Sequence, residues 1–344
     1  KGAINIHGAL LPEYRGANPI QWAILNEENV TGVTMHYMTE QFDAGDIVAQ
    51  RKVPIFFEDT WIDVQARIAE ASEQMLKDEI PKLLEGTNLR HSQNETHARH
   101  FHRRYPEDGL IDWSQRVVQI YNLVRALVKP HPGAFYLRKD GTKEVLDKYL
   151  SIPSITSIKY AREGGGGQVL KSQHVALVPL AESNLPQMYT WINNQDSVLF
   201  TEPDKTVSDG QHQEWFSSIQ QRNDLVIFGI SLLEVDELIG SCQLNNINYV
   251  HSCAELQIRI GEENKRGKGY GQETVKLLLK YGFHDLNLNR IQLQVFSNNQ
   301  VACHMFEKVG FKCEGVLRRA AHRDGSFIDV MVMGVLRDDY EQLE

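Results

Sequence analysis

Four consecutive glycines at positions 164–167 limit this chain more than any other feature, because a run without side chains cannot pack and behaves as a hinge. They divide 344 residues into two lengths that can each bury a core. We therefore expect a glycine linker over residues 164–170, followed by a second folding region from 171 to 344. Composition fits: 42% of residues are hydrophobic and 24% charged, as in globular domains, which excludes fibrous and disordered classes. The 36 basic against 45 acidic side chains leave a formal charge of −9, which opposes a nucleic-acid or anionic-membrane partner held by bulk electrostatics. Any phosphate on a ligand must then be met by a local site. No run approaches the ~18 apolar residues of a membrane span, and the first residues lack a basic-then-apolar leader pattern, so the expected location is cytoplasmic. Cys242, Cys253, Cys303 and Cys313 fall at no metal-binding spacing and read as reduced core thiols.

Hydrophobic periodicity makes both regions α/β. Residues 5–11 read as a strand end running into a loop, residues 31–38 as a strand, and residues 60–84 as a helix with Trp61, Val64, Ile68, Met75 and Leu83 at helical spacing. Residues 117–128 form a second amphipathic segment, and residues 134–160 read as short and strand-like. Beyond the glycines, strands are expected at 175–179, 226–233, 237–245, 254–260 and 290–297, helices at 272–286 and 300–309, and strands up to residue 335. Such a pattern suggests a mixed, strongly twisted sheet.

Asn5 and His7 lie two apart on a strand end and so project from one face, where both can converge on a ligand atom. Asp43, in the run Phe42-Asp43-Ala44-Gly45-Asp46, offers a carboxylate on a tight turn. Acyl transfer to an amine needs these parts: a donor for the developing oxyanion, a base for the amine proton, and a carboxylate that orients the base. A satisfied strand-end histidine beside an ordinary Asx turn is the alternative on residue types alone.

The order N-x-H-x-x-L-L-P-x-Y-R-G, followed by T-G-V-T and D-A-G, resembles the tetrahydrofolate-dependent formyltransferases, a family that includes methionyl-tRNA and sugar-nucleotide enzymes. The likeness extends over about residues 1–150, through Arg104-Tyr105-Pro106-Glu107-Asp108-Gly109 and Asn122-Leu123-Val124-Arg125-Ala126, and is nearest the enzymes that formylate UDP-4-amino-4-deoxy-L-arabinose. It implies a partial Rossmann-like catalytic portion over residues 1–95 and a C-terminal subdomain over 96–163. It further implies that an amine attacks the formyl carbon of 10-formyltetrahydrofolate while Asn5 and His7 stabilise the intermediate and Asp43 sets the protonation of His7. Leu10, Leu11, Pro12, Thr39, Glu40, Gln41 and Phe42 match folate-lining positions. Ala9 and Ala17 replace the family's usual Ser and Arg. The family's fold also begins upstream of this motif with its first Rossmann strands, so we expect little formyl transfer from residues 1–344 alone. His97, His100 and His102, flanked by Arg99, Arg103 and Arg104, read as a solvated basic loop without metal. Arg104 and Arg125 either reach a nucleotide pyrophosphate or are surface charge.

Arg266, Gly267, Lys268, Gly269, Tyr270 and Gly271 lie between a strand and an amphipathic helix, where free backbone N–H groups and the helix dipole favour a phosphate. The spacing matches neither a P-loop nor a dinucleotide-binding fingerprint. As R-x-x-G-x-G, with Asn299, Phe306-Glu307-Lys308 and Gly310-Phe311 downstream, it resembles the GCN5-related N-acetyltransferases over about residues 175–335. The nearest subgroup comprises ribosomal-protein and amino-sugar acetyltransferases. By that resemblance residues 266–271 cradle the pyrophosphate of acetyl-CoA and Asn299 contacts its pantetheine arm. Strand alternation puts Glu255 opposite the apolar face, and it matches the carboxylate that takes the amine proton; a solvent-facing glutamate is the alternative. Phe306 stands where many members carry a tyrosine acid. Trp191 and His212, with Trp215 and Phe216, fall in the family's acceptor pocket, although core packing accounts for the aromatics equally.

Taken together these features imply a bifunctional acyltransferase for amino groups of nucleotide-linked amino sugars in surface-polysaccharide synthesis, with small-molecule substrates, no nucleic-acid or membrane partner, and homodimerisation left open. One alternative is a protein N-terminal acetyltransferase fused to a tRNA-type formyltransferase. Another is an acetyltransferase whose formyltransferase-like half is a non-catalytic binding module.

Overall fold

A computed structural model describes residues 2–138, 140–146, 151–163, 170–193, 207–219, 221–235, 237–323 and 325–342. The chain forms two compact units, residues 1–115 with 119–150 and residues 116–118 with 151–344. The seam at 150/151 therefore lies ahead of the glycine run, which falls outside the described residues.

In the first unit the order is β1 (Ile4–His7), β2 (Arg15–Gly16), α1 (Pro19–Leu25), β3 (Val30–Tyr37), β4 (Ile47–Pro54), α2 (Trp61–Glu85) and β5 (His100–Phe101), then most of α3 (Val117–Ala126), β6 (Phe135–Leu137) and β7 (Lys143–Val145). Strands β1, β3 and β4 make an antiparallel sheet with β3 central, while β2 and β5 form a short parallel pair. Helix α2 packs on β3 and β4 and buries Val64, Ile68 and Met75, three of the residues placed on its apolar stripe by sequence. Its ends follow from capping chemistry. Asp63 accepts from the Thr60 N–H at 2.8 Å, and Gly86 closes the helix in the left-handed region at φ 73°.

In the second unit α4 (Ile152–Glu163) precedes β8 (Leu170–Lys171), β9 (Val175–Pro179), α5 (Leu185–Ile192), α6 (Asp209–Ile219), β10 (Val226–Leu232), β11 (Glu237–Asn248) and β12 (Cys253–Ile260). They are followed by α7 (Tyr270–Lys280), β13 (Arg290–Phe296), α8 (Gln300–Lys308), β14 (Lys312–Arg323), β15 (Ser326–Leu336) and α9 (Arg337–Glu341). The eight-stranded mixed sheet runs β14-β15-β13-β12-β11-β10-β9-β8.

One reading of the sequence is corrected here. Residues 152–163 form helix α4, not strand, although three isoleucines and Thr156 favour extended backbone. Tertiary contacts decide: Ile152 and Ile155 are fully buried, Thr156 Oγ1 lies 2.8 Å from the buried Tyr281 hydroxyl, and Lys159 pairs with Asp285 at 2.9 Å. The expected helix to residue 286 also ends sooner, passing at Tyr281 into a wider turn through Asp285.

Because Met75 is 1% exposed in the α2 interface, Met75→Ala should lower the stability of the first unit by about 2–4 kcal/mol, read from urea unfolding followed by tryptophan fluorescence.

Candidate active sites

The antiparallel register of β1 and β3 pairs Asn5 with His36 and His7 with Thr34, so four polar side chains share one face. Asn5 Nδ2 lies 3.2 Å from His36 Nε2. His7 Nε2 lies 2.8 Å from the Tyr14 carbonyl, an acceptor only, so this nitrogen carries the hydrogen and Nδ1 is the basic one. Asp43 sits between the imidazoles, 3.6 Å from His7 Nδ1 and 3.5 Å from His36 Nε2. Asn5, His7 and Asp43, named from sequence, thus come together.

Asp43 is held from behind. Its own φ is 54°, a left-handed conformation that Asp tolerates, and its Oδ2 accepts from the Gly16 N–H at 2.9 Å. Gln93 Nε2 donates to the Asp43 and Gly45 carbonyls at 2.7 Å each, while its Oε1 accepts from Arg15 at 2.7 and 3.1 Å. The 1%-exposed Arg15 of the Y-R-G run is thereby a support for the Asp43 turn. Thr34 Oγ1 does the same for the 9–11 loop, donating to the Ala9 carbonyl at 2.6 Å and accepting from the Leu11 N–H at 3.0 Å.

Burial alone would raise the Asp43 pKa, but hydrogen bonding to His36 and Gly16 and the nearby imidazole charge outweigh it and bring it to about 2. Burial lowers the His7 pKa below its ordinary value, with Asp43 and the Tyr14 carbonyl acting against that shift. His7 is therefore held neutral, able to take a proton at Nδ1, beside a carboxylate that stabilises the resulting cation.

The remaining expected residues divide. Leu11 is buried, Leu10 and Pro12 are half-buried, and Thr39, Glu40, Gln41 and Phe42 form an exposed rim, Phe42 being 86% exposed. Arg104 is half-buried over the Trp22 ring and donates to the Asp108 carbonyl at 2.7 Å. Arg125 requires correction. Its guanidinium is 5% exposed and donates inward to the Phe56 and Asp59 carbonyls and to Asn122, so it is a core residue and not a phosphate ligand. His36 was missed from sequence. Its signal was a polar residue two positions after Thr34 and so on the same face of the strand.

In the second unit the parallel pair β12–β13 is joined only at Cys253, Ala254 and Glu255, opposite Arg290, Ile291 and Gln292. Beyond that point the two strands part, opening a cleft at Glu255. The Glu255 carboxylate accepts from Asn246 at 2.9 Å and lies 3.4 Å from Gln292 Nε2. At the far end of β12, the turn before α7 places Gly267 and Gly269 at φ 73° and 88°, and no heavy atom lies within 4 Å of a Cβ built on Gly267, Gly269 or Gly271. The N–H groups of Gly269, Tyr270 and Gly271 have no acceptor among the described residues. This open cradle fits a pyrophosphate. Lys268 lies in the same turn, and Arg266 turns back to the Ile260 and Gly261 carbonyls. Asn299 caps α8, its Oδ1 accepting from the Ala302 N–H at 3.2 Å. Trp191 and His212 prove to be packed residues. Trp191 lies against Gly261 and donates to Glu262 at 3.0 Å, whereas His212 is 2% exposed and stacked on Trp215.

Family models match this arrangement: a formyl transferase model over residues 1–80, a formyl transferase C-terminal domain over 104–178, and an acetyltransferase (GNAT) domain over 174–312. The chain joins formyl transferase domains to a GNAT acetyltransferase domain. It is a transferase, and its domain types imply 10-formyltetrahydrofolate and acetyl-CoA as acyl donors. It is 43% identical over 134 residues, 39% of its length, to a bifunctional polymyxin resistance protein, ArnA, of Wigglesworthia glossinidia brevipalpis, and spans 20% of that relative. A Vibrio cholerae spermidine N-acetyltransferase in complex with CoA and spermine is 31% identical and is covered over 99% of its chain by 49% of this one, at a TM-score of 0.47. The manganese complex of a spermidine/spermine N-acetyltransferase from the same organism is also 31% identical, with coverage of 97% and 50% and a TM-score of 0.44. Among the described residues no cluster of His, Cys, Asp or Glu could hold a metal, and no helix is long and apolar enough to cross a membrane.

The Asp43 carboxylate is favoured in the folded formyl transferase domain, so its contribution to stability is complete above the ordinary carboxylate pKa and is lost as pH falls toward about 2. Asp43→Asn should therefore cost most stability near neutral pH and least near pH 2, and should lower the His7 pKa further, both measurable by pH-dependent unfolding and by NMR titration of the imidazole.

Proposed function

We propose that this chain acylates primary amines of nucleotide-linked amino sugars in surface-polysaccharide synthesis, with acetyl transfer at the GNAT cleft and, when the formyl transferase fold is complete, formyl transfer at the Asn5 cluster. The observation that carries the reading is the assembly of Asn5, His7 and Asp43 within the residues matched by the formyl transferase model, in a chain that is 43% identical over 134 residues to a polymyxin resistance protein. When bound, 10-formyltetrahydrofolate supplies an activated formyl group and acetyl-CoA an activated acetyl group. Asn5 Nδ2 is the donor available for an oxygen that gains negative charge. His7 Nδ1 accepts the proton leaving the amine, and Asp43 steadies the imidazolium. At the GNAT cleft Glu255, poised where the strands part, accepts the amine proton, and the N–H groups ahead of α7 hold the donor's pyrophosphate.

Incubation of the protein with acetyl-CoA and a panel of UDP- and dTDP-linked amino sugars, with spermidine as a competing acceptor, tests the reading by product mass. We expect an acetylated amino sugar, and exclusive acetylation of spermidine would refute the sugar assignment. Glu255→Gln should retain acetyl-CoA binding and lower turnover by ~10²-fold, as for a lost general base. Gly269→Asp should abolish CoA binding in calorimetry. For formyl transfer, His7→Ala should remove any activity seen with 10-formyltetrahydrofolate while the protein stays folded.

A further inference from the structure

The face of β12 that carries Glu255 also carries Gln257 and Arg259, and their β11 partners are Asn245, Gln243 and Ser241. Gln243 Nε2 donates to Gln257 Oε1 at 2.7 Å. Ser241 is paired with Gly229, against which Leu180 and Leu238 of the α5 cluster pack, so the strip looks toward α5. The opposite face belongs to the segment that follows α7: Gly282 rests on Leu244 and Ile291, and Leu244 pairs with the buried Leu256. The polar strip is thus rich in amides and hydroxyls, suited to a polyhydroxylated ligand, with one carboxylate at one end and one guanidinium at the other.

That guanidinium is unusual. Arg259 Nε is buried without a hydrogen-bond partner, and no carboxylate pairs with it among the described residues. Its charged neighbour is Arg266, and burial with that like charge lowers its pKa to about 10. Of the acids near it in sequence, Glu255 is engaged by Asn246 and Gln292, and Glu262 by Trp191 at 3.0 Å and Gln187 at 3.2 Å. A desolvated cation with a like-charged neighbour and no counter-ion is costly, and a bound anion would relieve it.

We propose that Arg259 anchors the acyl acceptor of the GNAT site through a phosphate group, while the acceptor's amine lies at Glu255. This rests on the amino-sugar reading and deepens it. Four residues of strand separate the two Cα atoms by about 13 Å, and with both side chains reaching inward the remaining span suits a hexose ring and its first phosphate. The pyrophosphate of acetyl-CoA could supply the same chemistry. It has its own donors at the start of α7, however, and α7 packs over the face that Arg259 does not occupy. A polycation such as spermidine would meet repulsion here.

Calorimetry on CoA-saturated protein tests this, with glucosamine 1-phosphate, UDP and spermidine as probes. The phosphate probes should bind wild type, bind Arg259→Gln at least ~10-fold more weakly, and be partly rescued in Arg259→Lys, as expected for loss of a charge-assisted contact. CoA affinity and Tm should not fall in Arg259→Gln, since the wild-type cation has no partner to lose. No phosphate binding to wild type, equal binding to both proteins, a loss confined to CoA, or spermidine binding tighter than the phosphates would each overturn the proposal. If the phosphates bind through Arg259 but no amino sugar is acetylated, the anchor stands and the amino-sugar function fails.

Discussion

A strand sends successive side chains to opposite faces, and both sites depend on that alternation to keep packing apart from chemistry. In β3, Val33 and Met35 lie on one face, while Thr34 and His36 lie on the other with Asn5 and His7. In β12, Ala254 and Leu256 are buried, whereas Glu255, Gln257 and Arg259 point away from them. A one-residue slip in either strand would bury the reacting groups in the apolar layer and expose that layer to water. Sheet register is therefore as much a part of each site as the side chains it presents.

The formyl transferase site shows what it takes to keep an ionised group in a crowded place. Asp43 remains a carboxylate because a backbone N–H and two imidazoles face it, and its turn is fixed by Gln93 and Arg15. The same carboxylate offsets part of the penalty that burial places on a protonated His7, so protonation of this imidazole costs less than burial alone would make it. At the GNAT cleft the balance is different. Glu255 is met by two amides, and Arg259 is left without a counter-charge. One site is electrostatically closed in the resting protein, whereas the other leaves a guanidinium without a counter-charge.

Residues whose roles depend on local order were legible in the sequence. Asn5, His7, Asp43 and the R-x-x-G-x-G turn could be named because each lies in a short run that resembles a family motif. His36 and Arg259 were not, since the first meets Asn5 only across the strand pairing and the second shows its lack of a partner only in the folded sheet. Arg125 and the aromatics Trp191 and His212 were misplaced for the converse reason. Their residue types suit a ligand, but burial, accompanied in Arg125 and Trp191 by hydrogen bonds to neighbouring protein groups and in His212 by stacking on Trp215, is invisible to pattern and gives them to the core. Helix α4 was hidden by β-branched residues whose buried contacts override intrinsic preference.

The glycines of the two sites make a final distinction. A Cβ on Gly45 would stand 1.8 Å from the Tyr37 carbonyl oxygen, and one on Gly16 would stand 2.3 Å from that of Phe101. In the D-A-G and Y-R-G runs, then, the missing side chain is demanded by the protein's own backbone, which passes too close for any other residue. A Cβ built on Gly267, Gly269 or Gly271 would meet no atom within 4 Å beyond its own local backbone, so packing makes no such demand. What those positions require is a left-handed backbone at two of the three and unobstructed N–H groups, conditions that matter only to a molecule arriving from solvent. Glycine spacing reads alike on paper in both runs, yet one set shapes a resting site and the other keeps an approach open.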